Sequence, residues 1–181
     1  MASRYDDELW ELVPEDRRPP RDICDWLASV GPARHALDLG CGDGAVSAVV
    51  RAGKLTLADV SALALARARA RLPDAEIVEL EPDKPLPFAD SSFDLVVCTE
   101  TLEHVRDVQL FLSEIRRVLE PGGRLAVTTP SHRRLIAPPE PLSPHLRFFT
   151  KRTLRTLLNG MGFEVQTLTR SRTALFALAS R

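Results

Sequence analysis

The chain has 181 residues, 44% of them hydrophobic and 27% charged, and its 24 Lys and Arg against 25 Asp and Glu leave a formal net charge of −1. That length suits one sizeable core and is too short for a nucleotide domain plus a separate catalytic domain of ordinary size. The charge balance offers nucleic acid no basic field, and no apolar run is long enough to span a bilayer. The expectation is a soluble enzyme or binding protein with one domain over 1–181. The start, MASRYDDELW, lacks the basic-then-apolar layout of a secretory signal, and Cys24, Cys41 and Cys98 form no C-x-x-C pair. Together these predict a cytoplasmic location with reduced thiols.

In chain order, residues 7–13 and 21–30 read as amphipathic helices around the proline-rich VPEDRRPP. They make up most of an N-terminal segment, 1–34, that either covers the sheet or forms a flap over a ligand mouth. Short strand-like runs follow at 35–39, 54–59 and 75–80, separated by expected helices at 44–52 and 61–72, the second opening on Ser61 as N-cap. After a turn-rich stretch at 81–92, a second half repeats the pattern with a strand at 93–98, a helix at 107–119 and a strand at 124–129. Residues 130–150 show no period and are rich in proline, which predicts a loop that is either functional or disordered. A helix over 151–160 begins after Thr150, and runs at 163–169 and 173–179 look like a closing antiparallel pair. Alternating strands and helices of this kind predict an α/β fold around a largely parallel sheet.

The densest signal is ALDLGCGDG at 36–44, an apolar run that ends in Asp38 and passes into Gly40, Gly42 and Gly44. Glycine permits positive φ and leaves no Cβ between main chain and ligand, so a strand ending this way cradles a nucleotide-like group. Read as G-x-G-x-x-G/A, Gly40, Gly42 and Ala45 also fit a dinucleotide fingerprint, with Asp59 at the distance of a ribose-binding acid. The loop alone does not choose between these ligands.

Four ordered motifs do. LDLGCGDG at 37–44 is followed by LPFADSSFDLVVCTETLEHV at 86–105, RVLEPGG at 117–123 and HLRFFTKRTLRTLLNGMGF at 145–163. In these the chain resembles the class I S-adenosylmethionine-dependent methyltransferases. The resemblance implies a three-layer Rossmann-like fold whose seven-stranded sheet is mostly parallel, with the last strand antiparallel, and S-adenosyl-L-methionine as cofactor. By motif matching, it implies that Asp38 with Gly40, Cys41, Gly42 and Gly44 holds the methionine part. Asp59 accepts from the ribose hydroxyls or, in a plainer reading, caps the following helix; Val60 packs on adenine. Glu79 and Leu80 stand where the adenine-binding acid belongs, with Glu81 as a competitor and a solvated strand-end charge as the alternative. Thr99 and Glu100 fall beneath the sulfonium and beside the acceptor.

Methyl transfer asks the protein for an in-line nucleophile, a dry pocket and often a base. The candidate bases are Glu100, Glu103, His104, His132 and His145, with His104, His145 and Glu100 preferred. In two subfamilies that the chain resembles, quinone-pathway O-methyltransferases and small-RNA 3′-end 2′-O-methyltransferases, an E-x-x-E-H sequence binds a divalent ion. The reading assigns no metal and lets the glutamate and histidine brace the loop; the alternative is a divalent ion held by Glu100, Glu103, His104 and His145, which match that set. Acceptor choice is expected in 1–21 and 130–150, where Tyr5, Trp10, Phe148 and Phe149 supply aromatic walls or, for the last two, helix packing. Arg133, Arg134 and Arg147 are either a phosphate-facing patch or ordinary loop charges. The reading is O-methylation of a small-molecule acceptor by a monomer or homodimer. An RNA 3′-end methyltransferase and a non-catalytic S-adenosylmethionine-binding module are the rivals.

Overall fold

The computed structural model describes residues 4–131 and 145–181. It contains one sheet of seven strands in the order β3-β2-β1-β4-β5-β7-β6. These are β1 (Ala33–Leu39), β2 (Ala52–Asp59), β3 (Glu76–Glu79), β4 (Phe93–Thr99), β5 (Leu119–Pro130), β6 (Glu164–Arg170) and β7 (Ala174–Ser180). Strands β1 to β5 pair in parallel, whereas β7 runs antiparallel to both β5 and β6. The expected mostly parallel sheet with a reversed last strand is what forms.

The helices are α1 (Arg4–Glu11), α2 (Arg21–Ser29), α3 (Ala62–Arg71), α4 (Val108–Val118) and α5 (Lys151–Gly160). The starts of α3, α4 and α5 were legible because their caps are side-chain chemistry. The Ser61 hydroxyl accepts from Ala64 N, the Asp107 carboxylate from Gln109 N and Leu110 N, and Thr150 forms a reciprocal box with Thr153. Each satisfies backbone donors that a helix start leaves open.

Two expectations are corrected. The helix expected at 44–52 is a single 3-10 turn, Ser47–Val49. The chain there must return to the start of β2, whose first residue, Ala52, pairs with Ala33, and it has no length left for a full helix. The expected break at Pro121-Gly122-Gly123 lies inside β5, whose pairing with β4 shifts register between Phe93 and Leu95.

Apolar burial is split between the faces. The larger cluster joins Leu39, Phe93, Val96, Leu125 and Val127 to Leu112 and Ile115 of α4 and Leu154 and Leu158 of α5. On the other face Leu27 of α2 packs on Ala36, Leu95, Val97 and Ala126, with Val46 and Val49 of the short turn beside it. Helix α2 therefore covers the sheet, taking the place vacated by the missing helix. Among the described residues no helix is long and apolar enough to cross a membrane.

Candidate active site

Because β1, β2 and β4 are parallel neighbours, the loops that follow them meet at one end of the sheet. Gly40 N and Cys41 N both donate to Ala58 O, at 2.8 and 3.2 Å, which ties the glycine turn to the end of β2. Gly40 has φ +78°, and a Cβ there would lie 2.4 Å from Thr101 Oγ1. The loop after β4 thus rests directly on the glycine turn, and Thr101, which sequence reasoning passed over, is the point of contact. Gly42 has φ +54°, and a Cβ there would meet the Trp10 ring at 2.5 Å. Both positions need glycine twice over, for the left-handed backbone and for the close approach. Gly44 continues the turn, its N donating to Cys41 O at 3.1 Å.

Asp38 is fully buried. Its Oδ2 accepts from Ser47 Oγ at 2.6 Å, while Oδ1 has no partner. Burial pushes its carboxyl up to about 7, the Ser47 hydrogen bond offsetting part of that effect. A buried, half-satisfied carboxylate beside a glycine turn is a receptor for a cationic donor. Asp59 Oδ2 accepts from Gly42 N at 2.8 Å and Oδ1 from Ser61 N at 3.0 Å. It braces both loops, while the capping hydroxyl of α3 belongs to Ser61.

The other expected cofactor contacts are sorted by the structure. The Cys41 side chain is buried against Leu57, Leu65 and Ala68, so it packs under the turn, and burial raises its thiol pKa well above the ordinary value. Leu80 is buried in the larger core, and its N donates to Asp59 O at 2.8 Å. Val60 lies half-buried against that same core. Glu79 ends β3 opposite Asp59 and is exposed, as is Glu81, and nothing in the geometry prefers one. Thr99 is buried at the end of β4, and its carbonyl accepts from Thr101 Oγ1 at 3.0 Å.

Glu100 takes φ +51°, a costly conformation for a residue with a Cβ, and turns the chain out of β4. Its Oε1 accepts from Thr128 Oγ1 at 2.9 Å. Three residues on, Glu103 is buried with Oε2 accepting from Thr129 Oγ1 at 3.1 Å and Oε1 without a hydrogen-bond partner. Burial, with the nearby Glu100 charge second, pushes its carboxyl up to about 8. His104 Nε2 lies 3.7 Å from that open Oε1. The His104 and His145 rings are 4.9 Å apart, and Leu146 N donates to Glu103 O at 2.9 Å, which holds the second histidine in place. One ligand atom each from Glu103, His104 and His145 can be chosen so that all lie within 4.8 Å of one another. Glu100 is not one of that group.

Phe148 and Phe149 divide their roles: Phe149 is buried in the core, whereas Phe148 is 44% exposed and sits edge-on to His145 at 5.6 Å. Arg147 donates to the carbonyls of Val105 and Arg106, so it fastens the loop rather than joining a phosphate-facing patch. His132, Arg133, Arg134 and the Tyr5 side chain, like most of 130–150, lie outside the described residues.

Residue 43 was not singled out in the sequence, yet it is a hub. Its carboxylate is buried between Arg17 at 3.1 Å and Arg71 at 3.2 Å, and Asp43 thereby links the N-terminal segment, the glycine turn and α3. Only the one-letter pattern G-D-G could have flagged it.

Comparison with known proteins agrees with this geometry. The family described as "Methyltransferase domain" matches residues 37–127. A Mycolicibacterium smegmatis protein named "Probable S-adenosylmethionine-dependent methyltransferase" is 36% identical over 77% of this chain and 56% of its own length. Demethylmenaquinone methyltransferase of Tropheryma whipplei is 38% identical over 68% of this chain and 53% of its own. The chain spans roughly half the length of most of these curated relatives, and 31% of one of them. A crystal structure of a SAM-dependent methyltransferase from Aquifex aeolicus shares the fold, with a TM-score of 0.75 at 20% identity over 96% of both chains. The chain belongs to the methyltransferase-domain family, within the class I S-adenosylmethionine-dependent methyltransferases.

Proposed function

We propose that this chain catalyses methyl transfer from S-adenosylmethionine to an oxygen of a small-molecule acceptor. The observation that supports the reading is the contact of Thr101 with Gly40, which joins the loop that carries Glu103 and His104 to the glycine turn. When bound, S-adenosylmethionine supplies an electrophilic methyl on a sulfonium. Asp38 Oδ1 would accept from its ammonium, the Gly40–Gly44 turn would admit its methionine chain, and Asp59 would accept from its ribose hydroxyls. Either His104 or His145 would take the acceptor's proton, and the exposed Phe148 ring would flank a planar or apolar acceptor. That a relative is a demethylmenaquinone methyltransferase supports an acceptor of that kind.

The test is direct. Calorimetry with S-adenosylhomocysteine should show binding, and Asp59→Ala should weaken it by about 100-fold or more, since each hydrogen bond to a charged group contributes about 1.5–3 kcal/mol. With a panel of hydroxylated aromatic acceptors, His104→Ala or His145→Ala should lower turnover by about 10²–10⁴-fold while leaving that affinity unchanged. Absence of S-adenosylhomocysteine binding would overturn the proposal.

The grouping of Glu103, His104 and His145 favours a second version of the same reaction. These three residues would hold a divalent cation, whose chemistry is to orient and acidify a hydroxyl. Loss of turnover on chelation, restored by manganese or magnesium, would support this version, and indifference to chelator would rule it out.

A further inference from the structure

Helix α1 and the stretch up to Pro20 lie over the glycine turn, yet no residue there joins any of the apolar clusters among the described residues. Among the described residues almost every attachment of this segment is polar. Asp7 Oδ1 accepts from Ser61 Oγ at 2.6 Å and from Leu63 N at 3.1 Å, at the start of α3. Arg17 pairs with Asp43 at 3.1 Å, and Arg67 Nη1 donates to Val13 O at 2.8 Å. The exception is the Trp10 indole, which touches Gly42 and carries the Arg17 guanidinium 5.6 Å from its ring centre. Beyond Pro20 the picture changes abruptly, because Ile23 and Leu27 anchor α2 in the interior.

A segment that crosses a ligand mouth on hydrogen bonds and one aromatic contact opens at low cost, since little apolar surface is exposed on opening. Apart from Arg67 in the body of α3, the anchors on the other side belong to a loop or helix start next to the proposed cofactor contacts: Gly42 and Asp43 after β1, Ser61 and Leu63 after β2. We infer that residues 4–17 form a hinged lid over the cofactor pocket, with Trp10 as its roof against the bound cofactor and Asp7 and Arg17 as its latches. The inference rests on the S-adenosylmethionine reading and adds to it a positioning residue and a closing step. Closure over Gly42 excludes water from the cofactor and slows its escape.

The chain has two tryptophans, and Trp26 stacks in the interior on Phe176 at 5.2 Å. In the Trp26→Phe variant, emission therefore reports Trp10 alone. Adding S-adenosylhomocysteine should shift or quench it with the same midpoint that calorimetry gives. In stopped flow, Trp10→Ala should raise the cofactor off-rate by about tenfold, Trp10→Phe should restore most of the difference, and Arg17→Ala should fall between them. The ligand-free melting temperature of Arg17→Ala should stay close to that of the parent. If calorimetry finds no binding, the cofactor reading fails and the lid fails with it. Binding with silent Trp10 emission, or with an off-rate unchanged or lowered in Trp10→Ala, overturns the lid alone.

Discussion

At the scale of the residue, two positions join site chemistry to stability. Asp38 holds a proton in the folded state that an unfolded chain releases, because its carboxyl is raised from 3.8 to about 7. Its contribution is complete below the lower value and is lost as pH rises through the upper one. Asp38→Asn keeps an oxygen for Ser47, and so it should flatten the fall in melting temperature between those two pH values in the ligand-free protein. A slope as steep as the parent's would assign the titration to another group, Glu103 first, whose carboxyl is raised to about 8. Gly40→Ala meets both a left-handed backbone and the Thr101 side chain. It should cost about 1–2 kcal/mol for the backbone alone, read as a lower denaturation midpoint, and adding Thr101→Ala should recover only the part due to collision.

Helices and strands are the scale at which the sequence was most legible. Ser61 and Thr150 were read as helix starts because a capping side chain is a local signal, and the structure gives each its backbone donor. Thr150→Ala should therefore cost about 1 kcal/mol, measured by chemical denaturation, with no effect on cofactor affinity, since α5 packs far along the sheet beside β6. The helix expected at 44–52 was misread because an apolar stretch in the right place does not reveal how much chain the crossover consumes. The sequence leaves open whether the N-terminal segment covers the sheet or crosses the mouth. An amphipathic pattern identifies a helix but not its neighbour, and contacts such as Asp7 with Ser61 span 54 residues. Asp43 escaped notice for the same reason, its partners lying 26 and 28 residues away.

For the molecule as a whole, the two ends of one sheet divide the labour. Phe93 sits at the base of β4, 1% exposed, with His35 at 4.5 Å and Phe88 at 5.1 Å. Phe93→Ala should cost about 3–5 kcal/mol, seen as a large drop in melting temperature, while any protein that remains folded should bind S-adenosylhomocysteine normally, because the cavity opens at the end of β4 remote from the glycine turn. The motif resemblance foresaw the architecture because two of its motifs, LDLGCGDG and the stretch ending in TETLEHV, run through the ends of β1 and β4, which their parallel pairing brings together. The acceptor side was less legible, since the sequence of 130–150, where acceptor choice is expected, carries no period.

The single 3-10 turn between β1 and β2 has a mechanical corollary. Twelve residues, 40–51, carry the chain from the top of one strand to the foot of its parallel neighbour, about the least that such a crossover takes. With no slack to draw on, a deletion of even two residues there would drag β2 upward against β1. Asp59 would be pulled out of step with Gly42, so the two halves of the proposed cofactor cradle are yoked by the length of the connecting thread itself.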